Sequence, residues 1–516
     1  MASYQSYASG MGERILSIPE FSGIDQSRGA HSSDVGSSPE AVNFIARYGK
    51  LYTAPGVSQY GVPLAESAYE EKDGRLFQAF VRDLDGNDSS KLVLCQHGRF
   101  YVSDLDASEW TPIAGSFQSN DWNAVNYRDE ENEWIIFANG EDPPQYWDGK
   151  SAAAMPLNAR QGGSSTTNED GETVVTQGEL LTFSRLTLLY ERLWGAVTQE
   201  YPDRVYWSNS FDAEDWEFNF TDSENEGGGF VDVATFDGTR IRAIIAAFDD
   251  VLIFKDKSMH RLNGSYPGEF ALTQVYGSEG TLAPRTIVYN GQRLYFLSID
   301  GLCAYDGMSV TTLAAAGDRK LKDIWARINP STIEKACAVL KDDIIYLAVP
   351  LDGSIINTHI IEYDIRNGIY SLIELPGVDD WLVMREGQKE TLLFLNGDAV
   401  YRYASGYTMY GEAIEASWLS PEISCGTLSS RKQTGRVYML VDAQSLDVNA
   451  APRLRLTMYS GAKVRAKVIP LKVGRNELRK RVKIRGRTFR FKIENMDGNP
   501  LTIQRGLEVH VEEDFD

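Results

Sequence analysis

The sequence lacks the short motifs that mark most metal sites and many hydrolases. Its four cysteines (Cys95, Cys303, Cys337 and Cys425) form no CxxC pair, and its five histidines form neither HExxH nor HxH. There is no G-x-S-x-G motif either. Structural zinc sites, disulfide frameworks and nucleophile elbows depend on such spacings. We therefore expect no metal, no cofactor and no catalytic residue, and we do not expect an enzyme.

Long apolar runs and an excess of positive charge are also missing. No window approaches 18 apolar residues, and the N-terminal stretch "MASYQSYASGMGERILSIPEF" has no apolar core of the kind found in secretory signals. We therefore expect no membrane span and synthesis in a cytosol-like compartment. The formal net charge is −22, which argues against a protein that wraps duplex DNA with its whole surface.

Aromatic strands and glycine turns are abundant, and one phrase keeps returning. An aromatic or apolar strand ends in a small polar turn residue at intervals of 41 to 60 residues. The phrases end at Asp104, Asp148, Ser208, Asn263, Asp306, Asp364 and Ser405. A repeating unit of that size, with three or four short strands, is typical of a β-propeller blade.

One predicted blade can be followed residue by residue. The stretch "RTIVYNGQRLYFLSIDGLCAYDGMSVTTL" (285–313) alternates strands with Asn-Gly and Asp-Gly turns. These dipeptides tolerate the positive φ angles of two-residue hairpins. Leu294, Phe296 and Leu297 are predicted to pack against neighbouring blades. A single sheet cannot cover both of its faces, whereas six or seven sheets around an axis can.

The predicted fold class is therefore all-β, with a six- or seven-bladed β-propeller at 65–410. An extended N-terminal arm (1–64) precedes it, and an antiparallel β-sandwich (411–516) follows, because the strands there lack the Asp-Gly endings. Within the propeller we predict a long polar loop (151–180) and a helical insertion (317–340).

The helical insertion rests on apolar spacing and on a capping pattern. Apolar residues recur at helical intervals, the pattern breaks at Asn329-Pro330, and a Ser follows with a Glu three residues later. The residues are Leu321, Ile324, Trp325 and Ile328, then Ser331 and Glu334.

Two acidic patterns allow chemical interpretations beside simpler ones. The stretch "DLDGND" (83–88) resembles a calcium loop. An EF-hand, however, has its Gly at the sixth loop position and a Glu at the twelfth, whereas here the Gly is fourth and the Glu is missing. A hairpin turn explains the stretch equally well. Adjacent carboxylates could serve glycoside hydrolysis, yet adjacent residues of a strand point to opposite faces. The pairs are Glu130-Glu131, Asp249-Asp250, Asp342-Asp343 and Asp379-Asp380.

A basic cluster near the C-terminus contrasts with the acidic remainder. Residues 463–492 contain thirteen Lys or Arg and one Glu, a net +12 that leaves −34 for the rest of the chain. Alternation places Arg481, Lys483 and Arg485 on one strand face and Val482 and Ile484 on the other. The candidate DNA-channel or inter-subunit face comprises Arg479, Lys480, Arg481, Lys483, Arg485, Arg487 and Arg490. Nucleic-acid phosphate, the acidic propeller of a neighbouring copy and plain solvent remain three open interpretations of its surroundings.

Four stretches together resemble one family. They are "IPEFSGIDQSRGAHSSDVGSSPEAVNFIARYGKLYTAPGVSQYG" (18–61), "PDRVYWSNSFDAEDWEF" (202–218), the region from "GSEGTLAPRTIVYNGQ" to "IIEYD" (277–364), and "ELRKRVKIRGRTFRFKIENMDGNPLTIQRGLEVHVEE" (477–513). Diffuse phrases of this kind are similar to the β-propeller proteins of bacteriophage tails, in particular the tail nozzle (packaged-DNA stabilisation) proteins of short-tailed phages.

The resemblance implies a structural virion protein made in the host cytoplasm. It would form a ring, a homohexamer, below the portal and adaptor proteins and would continue the channel through which packaged DNA passes. Tail fibres or spikes are further implied neighbours. Two alternatives stay open: a baseplate, collar or fibre-anchoring propeller that binds host-surface glycans, and a glycan-cleaving propeller enzyme.

Overall fold

The protein folds as an all-β chain in a computed structural model. The structure describes residues 13–27, 34–64, 73–82, 85–167, 173–217, 227–275, 279–313, 320–425, 428–447 and 451–514. Most of its strands belong to four-stranded antiparallel sheets, an arrangement consistent with propeller blades. Within these described ranges, no helix is long and apolar enough to cross a membrane.

Five short strands precede the first complete sheet. They are β1 (Glu13–Ile18), β2 (Glu40–Val42), β3 (Phe44–Arg47), β4 (Lys50–Thr53) and β5 (Val57–Gln59).

The described residues contain seven four-stranded antiparallel sheets, which we number sheets 1 to 7. Sheet 1 is built from β6 (Arg75–Arg82), β7 (Asp88–Gln96), β8 (Arg99–Ser103) and β9 (Thr111–Gly115), and sheet 2 from β10 (Asn123–Arg128), β11 (Glu133–Ala138), β12 (Gln145–Trp147) and β13 (Met155–Pro156). Four short strands follow that belong to neither sheet 2 nor sheet 3: β14 (Arg160–Gln161), β15 (Ser164–Thr167), β16 (Thr173–Thr176) and β17 (Glu179–Leu180). Sheet 3 is built from β18 (Arg185–Leu189), β19 (Arg192–Ala196), β20 (Arg204–Trp207) and β21 (Gly229–Asp232). Sheet 4 is built from β22 (Ile241–Ala247), β23 (Asp250–Lys255), β24 (Met259–Asn263) and β25 (Ala271–Gln274), and sheet 5 from β26 (Val288–Tyr289), β27 (Leu294–Ser298), β28 (Gly301–Tyr305) and β29 (Val310–Thr312). Sheet 6 is built from β30 (Cys337–Lys341), β31 (Ile344–Val349), β32 (His359–Asp364) and β33 (Ile369–Glu374). Sheet 7 is built from β34 (Asp380–Glu386), β35 (Lys389–Asn396) and β36 (Ala399–Tyr403), with β5 as its fourth strand next to β36.

Sheet 5 confirms the blade that was followed in the sequence. Its four strands are separated by the predicted turns, and Gly291 has a φ of +85°, a value that an L side chain adopts only with strain. Leu294, Phe296 and Leu297 are fully buried. Phe296 packs on Phe254 of sheet 4 with ring centroids 5.0 Å apart, so adjacent sheets share an apolar core.

The first strands of neighbouring sheets contact one another in sequence order, and the series returns to its start. Contacts join β6 to β10, β10 to β18, β18 to β22, β26 to β30, β30 to β34, and β34 back to β6. Shared apolar cores join sheet 4 to sheet 5 in the same way. The last sheet borrows its outer strand from the N-terminal region, because β5 pairs with β36. Sheet 7 therefore holds together two parts of the chain that are more than 300 residues apart.

A second body consists of two sheets packed face to face. Its strands are β37 (Thr408–Met409) and β38 (Glu412–Ala413), which form a separate hairpin, and β39 (Ser417–Leu419), β40 (Arg431–Ala443), β41 (Arg453–Ser460), β42 (Lys463–Pro470), β43 (Gly474–Arg481), β44 (Arg485–Gly486), β45 (Arg490–Met496), β46 (Leu501–Ile503) and β47 (Leu507–Asp514). One sheet has the order β1-β47-β40-β46-β4-β3 with β43 and β44 on β40, and the other has the order β2-β39-β45-β41-β42. We call this pair of sheets the sandwich.

The segment predicted as an arm (1–64) is largely built into these sheets. In its described part, β1 to β4 belong to the sandwich and β5 to sheet 7. Phe44, Ile45 and Leu51 are almost completely buried, which explains why the segment does not lie free. Residues 1–12 and 28–33 lie outside the described part.

The sandwich rests on the outer strand of sheet 6. The Ile24 and Asn43 backbone N–H groups donate to the carbonyl oxygens of Tyr370 and Leu372, both at 2.9 Å. A continuous apolar cluster extends from sheets 5 and 6 into the sandwich.

The predicted helical insertion (317–340) is wrong in its described part, 320–340. Only α1 (Lys322–Trp325) and a single 3-10 turn (Ile333–Lys335) form there, and neither has a side-chain N-cap. Leu321, just before the helix, and Ile324 within it are buried, but a four-residue helix is too short to be stable without tertiary packing. From Cys337 onward the chain joins sheet 6 as its first strand. Leu321 and Ile324 are buried and Trp325 and Ile328 half-buried, but most of the segment is not helical.

The predicted surface loop (151–180) is also more ordered than expected. In its described part, β13 completes sheet 2, β14 pairs with β17, and β15 pairs with β16. Ser and Thr residues support strands as well as loops when their neighbours complete a hairpin, and polarity alone does not distinguish the two.

Candidate interaction surface

The basic cluster lies along one edge of the sandwich. We call residues 463–487, which contain β42, β43 and β44, the basic edge. Within the described chain, β42 pairs only with β41, and β43 pairs only with β40. The two strands belong to different sheets and are joined by residues 471–473, so both sheets end on the same stretch of chain. Each strand therefore leaves one row of backbone N–H and C=O groups without a β partner.

Strand β42 is exposed on both of its faces. Every residue from Lys463 to Val468 is exposed, including Val464 at 46% and Val468 at 44%. Lys467 and Arg465 are paired with Leu456 and Met458, whose side chains are buried in the sandwich core. Arg465 and Lys467 thus lie on the same face of the sheet as the core residues, but they are exposed because β42 extends past the edge of the core. A strand that projects in this way buries little in a single copy of the chain.

The seven predicted face residues divide by environment. Arg479, Arg481, Lys483, Arg485 and Arg487 are exposed, and Lys480 and Arg490 are half-buried. Leu478, Val482 and Ile484 alternate with the exposed cations and are buried, as expected from strand periodicity. Arg490 lies on β45 of the other sheet, opposite Tyr459 of β41. The structure therefore brings the predicted cations of 479–485 to one edge and separates Arg490 from them.

Few acidic groups balance these cations. In the described part of the chain, no carboxylate lies within 4.0 Å of Arg479, Arg481 or Lys483. Arg479 lies over the Tyr438 ring at 5.6 Å, and the Arg485 Nε donates to Gln433 Oε1 at 3.0 Å. Like charges this close repel one another in water and attract an acidic partner. The local backbone is nevertheless fixed, because the Thr434 hydroxyl donates to Val482 O at 2.7 Å and accepts from the Ile484 N–H at 3.0 Å.

In two of the adjacent carboxylate pairs of the sequence, one member binds an arginine. Asp250 binds Arg261, and Asp343 binds Arg366, so these two carboxylates are engaged in separate ion pairs. Asp379 differs: burial raises its pKa to about 7, and its Oδ2 accepts the Gly397 N–H at 2.7 Å.

No metal site was found for the other predicted chemistry. Among the described residues, no group of three or more His, Cys, Asp or Glu side chains is arranged to hold a metal ion. Residues 83 and 84 of the possible calcium loop (83–88) lie outside those ranges. All four cysteines are buried and free, as is usual for thiols that pack as small apolar side chains.

A second charged cluster, absent from the sequence predictions, lies where the first strands of the sheets begin. Asp121 links two arginines there: it pairs with Arg75, and its Oδ2 lies 3.2 Å from Arg185 Nη2. Arg285 bridges two other sheets by donating from Nη1 to Asp379 O at 2.7 Å and from Nη2 to Lys335 O at 3.2 Å. The only sequence signal is a charged residue at the start of each sheet, with no local motif.

Comparison with known proteins adds little. No family model matches the chain, and no curated protein matches it. Among solved structures, the crystal structure of the major Malassezia sympodialis allergen Mala s 1, a β-propeller protein, aligns with 12% identity, 55% coverage of this chain, 91% coverage of that chain and a TM-score of 0.30. A likeness this distant carries no argument about function.

Proposed function

We propose that the protein is a non-enzymatic structural component of a phage tail. In this proposal, sheets 1 to 7 form a seven-bladed propeller. The protein assembles into a homohexameric ring below the portal and adaptor, the position of the tail nozzle, and the ring continues the channel for packaged DNA. The sequence resemblance supplies the tail assignment. The observation that supports assembly is the basic edge, where a β-strand is exposed on both faces.

The exposed strand offers two kinds of contact to a second copy. Val464, Ala466 and Val468 form an apolar row on one face of β42, and Lys463, Arg465 and Lys467 form a basic row on the other. A strand of another chain can add to such an edge through main-chain hydrogen bonds. Lysines and a proline (Pro470) also protect edges against uncontrolled pairing, which favours a specific partner over aggregation.

Charge complementarity identifies the partner surface. The residues outside 463–492 carry a net charge of −34, so the basic edge of one copy is opposite in sign to most of the surface of the next. Attraction between unlike surfaces fixes the register of assembly more than it adds affinity. A head-to-tail contact whose rotation closes gives a ring, and closure strengthens each modest contact because every subunit is held twice. The acidic remainder would also repel DNA from the channel wall, which lets the DNA slide.

The test is the oligomeric state of the purified full chain, measured by light scattering and by negative-stain imaging. We expect rings for the wild type and monomers for a Val464→Asp, Val468→Asp double variant, because the new carboxylates break the apolar row. Val62→Asp is the matched control, since Val62 is also 44% exposed but lies far from the basic edge in sequence. Rings that persist in the double variant would show that β42 is not the interface.

The tail assignment needs a separate measurement. Mass spectrometry of purified phage particles from the same genome should detect the protein, and imaging should place it between the portal end and the tail tip. Particles without the protein would exclude a virion role, whatever its oligomeric state.

A further inference from the structure

A pocket lies among the starts of the first strands, away from the basic edge. Its volume is about 340 Å³, and sheets 1 to 6 contribute side chains, most of them from the ends at which their first strands begin. We call it the central pocket. Because neighbouring first strands contact one another in series, with sheets 4 and 5 joined through a shared apolar core, the starting ends of sheets 1 to 6 converge here. A charged residue at each start is therefore brought to one place.

Cations outnumber acids around the central pocket. Six of its lining side chains are cationic, and three are acidic (Asp73, Asp121 and Glu334). The cations are Arg75, Arg185, Arg240, Arg242, Arg285 and Lys335. This local excess occurs in a chain whose net charge is −22, so it does not reflect a generally basic surface. Outside the lining, Arg242 pairs with Asp256, and the buried carboxyls of Asp379 and Asp380 lie near Arg75 and Arg285. Burial raises the pKa of both carboxyls, which lessens their negative charge, so the lining keeps a positive excess.

Three of the arginines have incomplete compensation. Asp121 is shared between Arg75 and Arg185, so one carboxylate serves two guanidinium groups. Arg75 is 96% buried, and its Nε has no hydrogen-bond partner among the residues that the structure describes. Arg285 has no carboxylate partner in the described chain and donates only to backbone carbonyl oxygens. A buried donor without a partner costs free energy, which a ligand oxygen would recover.

The pKa of Arg285 agrees with this geometry. Burial and the neighbouring Arg75 guanidinium both lower the pKa of Arg285, which means that its charge is held where positive charge is unfavourable. An anion in the pocket would reverse that effect, since an opposite charge within a few ångströms favours the charged form.

We propose that the central pocket binds an oxyanion: a phosphate, sulfate or carboxylate group carried by a small polar molecule. Guanidinium groups bind such groups with two parallel N–H···O bonds, and several of them converge here. The pocket is larger than an inorganic anion, which leaves room for the rest of the molecule. Polymeric nucleic acid is not favoured, because the pocket is a confined recess and not a groove.

Titration calorimetry tests the proposal with inorganic phosphate, sulfate and acetate, each against chloride at equal ionic strength. We expect phosphate or sulfate to bind the wild-type protein, with Arg185→Gln and Arg240→Gln each weakening binding by about tenfold or more, the usual effect of losing a charge-assisted bond. Arg240 is exposed and has no ion pair in the described chain, so its replacement is expected to leave folding unchanged even if Arg185→Gln does not. Acetate binding without phosphate binding would instead assign a carboxylate ligand.

Two control variants separate this pocket from other basic surfaces. Arg366→Gln removes an exposed arginine of sheet 6 that pairs with Asp343, and it should leave anion binding unchanged. A triple Arg481→Gln, Lys483→Gln, Arg485→Gln variant tests the basic edge and should also bind normally. Loss of binding in the triple variant together with normal binding in Arg240→Gln and Arg185→Gln would overturn the proposal. Absence of binding of all three anions to the wild type would overturn it too. Neither result depends on ring assembly.

Discussion

The arginines of the central pocket and those of the basic edge differ in what surrounds them. Arg75 and Arg285 of the pocket are held by carboxylate or carbonyl oxygens from other sheets, whereas Arg479 and Arg481 of the edge are exposed and have no carboxylate within 4.0 Å in the described ranges. A buried ion that loses its partner is costly, and an exposed one is screened by water and salt. The same residue type therefore holds the sheets together in one place and is available to a partner in the other.

The largest effect on stability is expected at Arg75. Replacing Arg75 by Leu removes the pairing with Asp121 and the hydrogen bond to Gly74 O, and it leaves a polar recess next to an apolar side chain. We expect a loss of about 2–3 kcal/mol, at the lower end for a broken buried pair because Asp121 is half-exposed and keeps Arg185. Urea denaturation followed by tryptophan fluorescence measures it. An unchanged midpoint would show that the pair does not join sheets 1 and 2.

Asp379 should make stability depend on pH. Burial raises its pKa from 3.8 to about 7, with Asp73 adding to the effect and Arg285 and Arg75 opposing it. Between about pH 4 and pH 7 the folded state binds more protons than the unfolded chain, so stability falls across this range and levels off above about pH 7. The stability of Asp379→Asn relative to the wild type should therefore be greater at pH 8 than at pH 5, by about 2 kcal/mol.

Thermal melting at the two pH values checks this prediction. The control is Asp343→Asn, because Asp343 is an acidic residue of sheet 6 that pairs with an exposed arginine. We expect the melting temperature of Asp343→Asn to depend on pH as strongly as that of the wild type. Equal pH dependence of Asp379→Asn and the wild type would contradict the assignment to Asp379.

Replacing Asp121 is expected to lower the stability of the protein slightly and to strengthen its binding of phosphate. Burial raises the pKa of Asp121, but Arg185 and Arg75 outweigh burial and hold it below the usual range. Its contribution is therefore present above about pH 4 and is lost as pH falls further. Asp121→Asn should cost about 1 kcal/mol at pH 7, since the carboxylate is partly screened, and should bind phosphate more tightly than the wild type. Weaker phosphate binding in that variant would argue that Asp121 orients the arginines.

The smallest effect is expected at the basic edge. Arg481→Leu should change the stability of the monomer by no more than about 0.5 kcal/mol, as is usual for exposed residues without partners. Urea denaturation of dilute protein measures this, alongside Arg75→Leu. A loss as large as that of Arg75→Leu would show that the basic edge is held within the chain and is not available to a partner.

Local patterns were sufficient for some elements. The four strands and turns of sheet 5 follow from alternation and from Asn-Gly and Asp-Gly dipeptides, and the exposure of Arg481 and Lys483 follows from period two. These features depend on residues that are neighbours in the chain. The helical spacing of 321–328 was misleading because burial against sheet 6 places apolar residues at the same positions as a helix would.

Long-range pairings were not accessible in the same way. Strand β5 has only three residues, and its partner β36 lies more than 300 residues away. The strands β1, β2 and β4 likewise pair with strands after residue 416, so the arm was not recognised as part of the sandwich. Loop closure over such distances is decided by burial in the assembled fold and leaves no mark in a short window.

The sequence by itself determined the all-β class, the blade-sized repeats and the position of the basic strands, since each depends on alternation and turn residues within about 30 residues. Only the tertiary structure decided which strands close sheet 7, and which charges meet. Consecutive members of the set Arg75, Asp121, Arg185 and Arg285 stand 46 to 100 residues apart in the chain, yet all four surround one pocket because the first strands converge there. The first strands meet there because the sheets pack against one another, and the order of residues within a single strand or turn does not show this.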